Sequence, residues 1–438
     1  MIQTSSRHIT DRAKHFGVGL LCAFIFSFIA VKSNDSSGIS LFAYLACHFV
    51  AATTVLAYWV WLRNKNITIS LAFVVLWAIV FRIIGVLGSP VLEDDFYRYI
   101  LDGCLFVNTG SPYGIIPSSL FADNSLPEQC QEALTWMNNP DLPTIYAPAL
   151  QYLFALSYIV APASVDALQI LTALFDIALI CILGKLTIPR NAMLYAWCPL
   201  VLKEFAFTAH PDVIGAFFVL FAFYLRRHDR MTTASIMIGI ACCIKVFALL
   251  AVPFILLRKP IKNWIIVVMT IGLVYLPFML QGATDLAVLA HFASNWNFNE
   301  SAFALIQWMT DDDYITRVVC GLLFVIWFCV YYGHFRSNEI GSRIPRMDWV
   351  YGMLLLLSPV VNSWYLVWLL PFAAIRPSIW AWTAASVIAL SYVTGLHLDV
   401  DELRAYQIAP PVWVAQYLLI AAAVFADWLR RPRQTKLT

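Results

Sequence analysis

Apolar stretches of about 20 residues recur along the whole chain, and this repetition limits the possible fold more than any other feature. About 20 consecutive apolar residues form a helix long enough to cross a bilayer. The 438 residues are 61% hydrophobic and only 12% charged, whereas about a quarter of an ordinary soluble domain is charged. The sequence therefore predicts an all-α, polytopic membrane protein in which residues 1–438 form one membrane domain of about 12–14 transmembrane helices. The clearest predicted spans are residues 16–32, 41–62, 67–88, 163–186, 191–208, 212–226 and 263–281.

Basic residues determine the predicted orientation, because loops on the cytoplasmic side carry an excess of Lys and Arg. Clusters of them precede the first predicted span and follow the last one, so we expect both termini to lie in the cytoplasm. These residues are Arg7, Arg12, Lys14, Arg430, Arg431, Arg433 and Lys436.

The predicted domain has three parts. Residues 1–66 form an N-terminal helical hairpin, and residues 163–438 form the remaining membrane bundle. Between them, residues 89–162 form a first large extracytoplasmic loop with juxtamembrane, interfacial helices, because its first 58 residues contain eight acids and a single Arg or Lys. The apolar run 147–161 in this loop is too short to cross a bilayer. Cys104 and Cys130 lie in the same loop and could pair if it faces an oxidising compartment.

Three consecutive acids, Glu93, Asp94 and Asp95, follow directly after the third predicted span. Adjacent carboxylates repel each other, which raises one pKa and suits a general base that works near neutral pH. The same acids could contribute to a divalent-cation site, although two or three acids alone make it incomplete. A solvated loop at the membrane boundary is the alternative. Arg98 follows the two aspartates by one helical turn, where it could be their salt-bridge partner or a phosphate ligand. Asp102 lies one turn further along and could be a further site residue or an acid at a helix end.

Two further polar groups interrupt apolar runs on the same predicted side of the membrane. His210-Pro211-Asp212 lies between two spans, where His210 could cap a helix or help to bind an anion. Lys245 would cost roughly 3 kcal/mol at the bilayer centre, so we expect it at the outer boundary beside an anion such as a phosphate, or directed to lipid headgroups. Lys203 and Glu204 are predicted to form a buried pair that shapes the site without acting in it.

Amide and aromatic side chains form two more candidate segments. Asn297 and Asn299 alternate with aromatic residues, and Trp364-Tyr365 follows a polar turn. Aromatic residues at this depth commonly form the interfacial belt of a membrane protein. The alternative is a sugar-binding surface that uses amide hydrogen bonds and stacking.

The order of these motifs resembles that of the GT-C type glycosyltransferases, in particular the bacterial mannosyltransferase-like group that uses polyprenyl-phosphate sugars. The resemblance runs from about residue 85 to 375. It rests on Glu93–Tyr99 with Asp102-Gly103, then on Tyr146-Ala147-Pro148, His210-Pro211-Asp212, Ile244-Lys245 and Trp364–Pro371.

This resemblance implies a polyprenyl-phosphate-linked sugar donor, a site at the extracytoplasmic face of a bacterial inner membrane, and inversion by direct displacement. Asp94, or else Asp95, would be the catalytic base. The residues implied to bind the donor phosphate are Arg98, His210 and Lys245. The candidate substrate-binding residues are Tyr97, Asp102, Tyr146, Asp212, Asn297, Asn299, Trp364 and Tyr365.

The sequence thus predicts a glycosyltransferase that moves a hexose such as mannose to a lipid or glycan acceptor. The expected partners are membrane lipids, the donor and the acceptor, without nucleic acid. No cofactor is expected, and no phosphate-cradling Gly-rich loop occurs. A divalent metal is possible but not indicated. The rival hypothesis is a transporter or flippase of a lipid-linked or anionic substrate, which would favour paired, symmetry-related halves, and no internal repeat is visible.

Overall fold

The computed structural model describes residues 2–122, 126–338, 343–398 and 403–430. Within these ranges the chain forms α-helices joined by short 3₁₀ and π segments, and it forms no β-strand beyond two isolated bridges. The predicted all-α class is therefore confirmed. The basic residues predicted to follow the last span, Arg431, Arg433 and Lys436, lie outside the described residues.

The N-terminal part begins with two long helices that pack against each other, and the first of them also packs against the third. A serine precedes the second and third helices. The Ser40 Oγ accepts a hydrogen bond from the Ala43 N–H (3.4 Å), and the Ser70 Oγ accepts one from the Phe73 N–H (3.1 Å), which satisfies backbone donors that have no partner inside the helix. The first seven helices are α1 (Ile2–Ser33), α2 (Leu41–Asn64), α3 (Leu71–Val86), α4 (Asp95–Thr109), α5 (Glu128–Trp136), α6 (Pro148–Val160) and α7 (Val165–Leu186).

The middle part contains a sharp bend. The helix axis changes direction by 116° between the segments Pro199–Phe207 and Asp212–Arg227. The residues Lys203–Phe207, just before this bend, form a π-helical turn. Such turns are rare and occur frequently at functional sites. The next helices are α8 (Pro189–Ala196), α9 (Pro199–Leu202), α10 (Asp212–Arg227), α11 (Met231–Cys242), α12 (Val252–Ile255) and α13 (Ile261–Leu280).

The C-terminal part combines two long helices with several short ones. An irregular stretch after residue 356 leads into the 3₁₀ segment Ser363–Trp368, and a second one, Ile388–Tyr392, follows α19. The helices are α14 (Leu286–Asn295), α15 (Ala302–Thr310), α16 (Asp313–Asn338), α17 (Met347–Leu356), α18 (Leu370–Ile375), α19 (Ile379–Val387) and α20 (Pro410–Leu429).

Six described helices are long and apolar enough to cross a membrane, and the bent pair makes a seventh if it counts as one span. Leu273, Val330 and Leu418, on three of these helices, are each more than 60% exposed. Large apolar faces of this kind are untenable in water and suit contact with lipid. The chain is therefore a polytopic helical membrane protein. Because the remaining apolar helices are shorter, the predicted 12–14 crossings stay a prediction. The six long helices are Lys14–Ser33, Leu41–Asn64, Val165–Leu186, Ile261–Leu280, Asp313–Asn338 and Pro410–Leu429.

The predicted extracytoplasmic loop folds into the short helices α4, α5 and α6 and a 3₁₀ turn, Pro117–Leu120. A disulfide between Cys104 and Cys130 joins α4 to α5. Helix α4 also packs closely on α6 at Gly103. The helices are so close there that a Cβ atom on Gly103 would collide with the Phe154 carbonyl oxygen. This packing fixes the N-terminal end of α4, which carries the acidic triplet.

Replacing Gly103 with alanine should separate α4 from α6. We expect the variant to lose about 1–3 kcal/mol of stability, the usual cost of overpacking a close contact, and to unfold at a lower temperature in detergent. Gly272→Ala is the matched control, because no heavy atom lies within 4 Å of the added Cβ atom there. Equal melting temperatures for the two variants would contradict the close approach of α4 and α6.

Candidate active site

One cavity of about 920 Å³ collects most of the predicted site residues. Its wall is built from segments far apart in the sequence: the start of α4, the residues before α6, the start of α10, the break after α11, α14 with the segment that follows it, and the turn before the 3₁₀ segment Ser363–Trp368. The predicted residues that line it are Asp94, Asp95, Arg98, Tyr146, Asp212, Lys245, Asn297, Trp364 and Tyr365. The predicted residues that do not line it are Tyr97, Asp102, His210 and Asn299.

The acidic wall lies at the N-terminal end of α4. The amide of Asn138 donates one hydrogen bond to Asp94 Oδ1 (2.8 Å) and another to Asp95 Oδ1 (2.9 Å). The Tyr146 hydroxyl donates to Asp95 Oδ2 at 3.3 Å. Asp94 has no side-chain bond from any described residue other than Asn138, so its second oxygen remains available to a ligand in the cavity.

The pKa values of Glu93 and Asp94, two acids in this wall, are raised. Burial, with a contribution from the neighbouring Asp95 charge, raises the pKa of Asp94. Burial raises the pKa of Glu93 to about 7, although the nearby Lys203 and His210 favour its charged form. A carboxyl group whose pKa is raised toward neutrality can accept a proton effectively near neutral pH.

Arg98 lines the cavity but does not form an ion pair with the triplet among the described residues. Its Nη2 atom donates to the backbone carbonyls of Asn139 (2.9 Å) and Leu142 (3.0 Å). The predicted salt bridge to Asp94 and Asp95 is therefore wrong. Through these two hydrogen bonds, Arg98 holds residues 139–142 next to the start of α4. The neighbouring residue Asn138 is thereby kept close to the aspartates.

Asp102 was predicted at the substrate, but it is buried behind the cavity wall and is only 1% exposed. It accepts hydrogen bonds from the Thr144 hydroxyl and from Gln151 Nε2 (2.9 Å). Burial raises its pKa to about 6. Asp102 therefore connects α4 to the segment that enters α6, and its contact with substrate stays a prediction.

The cationic wall is formed where the chain breaks between α11 and α12. Lys245 Nζ lies 2.6 Å from Asp212 Oδ1, and the same oxygen accepts a hydrogen bond from Trp368 Nε1 (2.7 Å). The ammonium also lies 3.9 Å from the ring centre of Tyr365, within range of a cation–π interaction. Lys245 is thus held at the cavity by a buried carboxylate and an aromatic face. Asp212 anchors it, in addition to lining the cavity.

His210 is fully buried and therefore does not meet the expectation of a side chain open to a donor phosphate. Its ring stacks on Trp364, with the ring centres 3.9 Å apart. Nδ1 lies 3.0 Å from Glu204 Oε2, and Nε2 lies 3.8 Å from Asp95 Oδ2. The bend between α9 and α10 places His210 behind the acidic wall, where it contacts Asp95 and supports Trp364.

The predicted buried pair of Lys203 and Glu204 is present, with Lys203 Nζ 3.2 Å from Glu204 Oε2. Both side chains are at most 2% exposed. The other carboxylate oxygen, Oε1, accepts hydrogen bonds from Ser363 Oγ (2.6 Å) and from the Tyr392 hydroxyl (3.1 Å). The pair therefore joins the π-turn to the C-terminal 3₁₀ segments behind the cavity.

The aromatic and amide residues divide between the cavity and its support. Trp364, Tyr365 and Asn297 line the cavity, and Arg317 Nη2 donates to the Asn297 Oδ1 at 2.5 Å. Asn299 is 3% exposed and donates through Nδ2 to the Val361 carbonyl (3.1 Å). Its amide therefore connects chain segments, and its contact with substrate stays a prediction.

Tyr97 is the remaining predicted residue that lies away from the cavity. Its ring packs against Phe96, with the ring centres 4.2 Å apart. On α4, Tyr97 lies only two positions after Asp95, and residues two apart do not share a helix face. Tyr97 therefore does not line the cavity with Asp95, and its contact with substrate stays a prediction.

Three residues at the site were missed from the sequence. Asn138 holds both aspartates, and Tyr392 binds Glu204. Asp285, at the start of α14, lines the cavity and is 2% exposed, and burial raises its pKa to about 6. Asn138 precedes Asn139-Pro140, a dipeptide that is typical of an ordinary turn. The only available signal for Asp285 was an acid next to an apolar helix.

The described residues contain no group of three or more His, Cys, Asp or Glu side chains arranged to hold a metal ion. The cavity instead combines carboxylates, one ammonium and aromatic faces. This arrangement can accept a proton at one wall and stabilise negative charge at the other.

A comparison with known sequence families identifies the first part of the chain. Residues 28–259 match the sequence family described as alpha-(1->6)-mannopyranosyltransferase, N-terminal domain. The matched part exceeds half of the chain and includes the acidic triplet, His210 and Lys245, whereas Asn297, Trp364 and Tyr365 follow it. Neither a curated protein nor a solved structure matches the chain.

Proposed function

Because the chain belongs to the alpha-(1->6)-mannopyranosyltransferase family, we propose that it transfers mannose from a polyprenyl-phosphate donor to a lipid or glycan acceptor. The observation that carries this proposal is the single cavity with Asp94 on one wall and Lys245 on another. Transfer from a phosphate-linked sugar needs a base near the acceptor hydroxyl and a cation near the leaving phosphate. The family accounts for the sugar, and the cavity provides both groups.

In the proposed reaction, the acceptor hydroxyl oxygen attacks the anomeric carbon of mannose, and its proton passes to Asp94. The bond between that carbon and the phosphate oxygen breaks, and its electron pair moves onto the phosphate. One displacement inverts the anomeric configuration. An α-linked product therefore requires a β-linked donor, and a 1→6 linkage requires the primary 6-hydroxyl of an acceptor mannose.

Lys245 is the proposed contact for the leaving phosphate. An ammonium partly removed from water interacts strongly with the charge that develops on the bridging oxygen. Asp212 holds this ammonium in place at 2.6 Å, and the aromatic faces of Tyr365 and Phe247 border it. Trp364 and Tyr146, which also line the cavity, provide surfaces on which a sugar ring can stack.

The donor lipid is supported by the apolar part of the same cavity. Val288, Leu289 and Phe292 of α14 contribute to the lining, and Leu280 at the end of α13 is 79% exposed. An isoprenoid tail could pass from this surface into lipid without leaving an apolar environment. We propose that the reaction takes place at the extracytoplasmic face of a bacterial inner membrane, with both termini in the cytoplasm, because the sequence predicts the acids on the side opposite to the basic clusters.

The direct test is turnover by purified protein in nanodiscs. The donor is a β-linked polyprenyl-phosphate mannose with a radiolabelled sugar, and octyl α-mannoside is the acceptor. We expect labelled octyl dimannoside with a 1→6 linkage, formed in equal amount to free polyprenyl phosphate. Movement of the intact donor across a vesicle membrane without cleavage would instead favour a transporter or flippase. Neither cleavage nor transfer would contradict the proposed reaction.

Replacing Asn138 with alanine tests how the acidic wall is held. The variant loses the amide that bonds to both aspartates, and this hydrogen bond lowers the pKa of Asp94. We therefore expect the pKa of the base to rise, so that the acidic limb of the pH–rate profile moves up by about one pH unit and kcat falls about tenfold at pH values below that limb. Asn108→Ala is the control, because that exposed amide bonds only within α4 among the described residues. An unshifted acidic limb in Asn138→Ala would contradict this role.

A further inference from the structure

A buried chain of acidic and basic groups runs behind the acidic wall. Glu204 Oε2 lies 3.0 Å from His210 Nδ1, and His210 Nε2 lies 3.8 Å from Asp95 Oδ2. Glu204 and His210 are at most 1% exposed, and Nε2 has no hydrogen-bond partner among the described residues. The chain thus connects the π-turn to an acid that lines the cavity.

The geometry constrains the protons on this imidazole. Nδ1 lies 3.0 Å from Glu204 Oε2 and 3.0 Å from the Thr208 hydroxyl oxygen, which can donate its own proton to the Lys203 or Glu204 carbonyl (3.0 Å each). An ionised carboxylate only accepts hydrogen bonds, so we place a proton on Nδ1, facing Glu204. On a neutral ring, Nε2 would then present a lone pair to the carboxylate of Asp95. The 3.8 Å between Nε2 and Asp95 Oδ2 is longer than a direct hydrogen bond but close enough for a strong charge interaction. A second proton, on Nε2, makes the contact attractive.

We propose that Glu204 is a positioning residue that holds His210 as an imidazolium, and that this cation compensates the charge of Asp95. This inference rests on the proposed sugar transfer. With Asp95 compensated, Asp94 can remain ionised beside it and serve as the base, although adjacent carboxylates otherwise resist ionising together. The same imidazolium stacks on Trp364, so the position of Glu204 also determines one aromatic wall of the cavity.

The charged groups around His210 come from two segments. Glu93, Asp94 and Asp95 face it from the start of α4, and their charges are coupled to it. Glu204 faces it from the π-turn, where Lys203 partly offsets the carboxylate. Among these acids, Glu204 and Asp95 lie nearest the two ring nitrogens. Burial opposes a positive charge on the ring, which is why removing Glu204 should have a measurable effect.

Glu204→Gln tests the proposal through a pH–rate profile. Glutamine keeps the size and an acceptor oxygen but removes the charge that stabilises the imidazolium, so the ring should lose its proton at a lower pH. We expect the alkaline limb to move down by about one pH unit or more and kcat to fall about tenfold, with the donor KM changed by less than threefold. Glu204→Asp, which keeps the charge, should restore the alkaline limb toward the wild-type position.

Ser363→Ala separates positioning from packing. It removes one hydrogen bond to Glu204 but leaves the charge, so its alkaline limb should stay within a few tenths of a pH unit of the wild type. Equal alkaline limbs in the wild type and Glu204→Gln would overturn the proposal. An equal shift in Ser363→Ala would overturn it as well, because packing alone would then account for the effect.

Nitrogen NMR of the wild-type protein with ¹⁵N-labelled histidine, in nanodiscs, covers the case in which Glu204→Gln does not fold. We expect one buried histidine with both ring nitrogens protonated at pH 7, with its signals absent from His210→Gln. A wild-type spectrum without a doubly protonated histidine would overturn the proposal. This readout does not need turnover, so it separates failure of this inference from failure of the proposed reaction.

Discussion

Replacing Asp94 with asparagine is expected to lower kcat about 1,000-fold while the protein stays folded. General-base catalysis contributes about 10²–10⁴ in rate, and a factor of 1,000 corresponds to about 4 kcal/mol in the activation free energy. Asparagine can still accept the hydrogen bond from Asn138 (2.8 Å) but cannot take a proton from the acceptor. The measurement is the rate of release of free polyprenyl phosphate at saturating donor.

The control for this variant is Asp141→Asn, because Asp141 is an exposed acid in the same loop and does not line the cavity. It should keep the wild-type rate within about twofold, as surface substitutions usually do. In the wild type, kcat should fall as the pH drops through the raised pKa of Asp94, since only the ionised carboxylate accepts the proton. A folded Asp94→Asn variant with full activity would refute Asp94 as the base.

The second large effect is expected at Lys245. Lys245→Met keeps an unbranched side chain but removes the cation that faces the leaving phosphate, so we expect kcat/KM for the donor to fall about 100- to 1,000-fold. The variant also leaves Asp212 buried without its partner (2.6 Å in the wild type), and an unpaired buried charge is strongly destabilising.

The double variant Lys245→Met/Asp212→Asn separates these two causes. It removes both charges, so the melting temperature should recover toward the wild type while kcat/KM stays low. Recovery of the rate together with stability would mean that Lys245 serves only to neutralise Asp212. That outcome would contradict its role at the phosphate.

The fold was largely predictable because its strongest determinants are local. Apolar runs of spanning length, and the interruptions at His210-Pro211 and Lys245, mark where helices break and where polar side chains gather. The number of crossings was less predictable, because many segments are shorter than a bilayer. Hydropathy alone does not distinguish a broken span from a helix buried against its neighbours.

The sequence indicated which charged residues gather at the site. It did not indicate which polar residues line the cavity and which are buried behind its wall. The charged residues Asp94, Asp95 and Lys245 line one cavity as the motif order indicated. His210, Asp102 and Asn299 instead lie one layer behind it. Contacts between distant segments determine whether a polar residue lines the cavity or supports its wall from behind. The spacing of residues within one segment does not predict these contacts.

Supporting residues were the hardest to find. Asn138 bonds to both aspartates next to a turn in which Arg98 binds the carbonyls of Asn139 and Leu142, 41 and 44 residues along the chain from Arg98. Tyr392 meets Glu204 across 188 residues. An asparagine in a turn and a tyrosine in an apolar run are both common, so neither has a local signature.

The most direct test is a cryo-EM structure of the protein in nanodiscs with a non-cleavable phosphonate analogue of the β-linked mannosyl donor. We predict that the phosphonate lies within hydrogen-bonding distance of Lys245 Nζ, with the mannose anomeric carbon between it and the Asp94 carboxylate. The isoprenoid tail should follow the apolar lining along α14. A sugar–phosphonate headgroup bound outside this cavity, or far from both Asp94 and Lys245, would contradict the account.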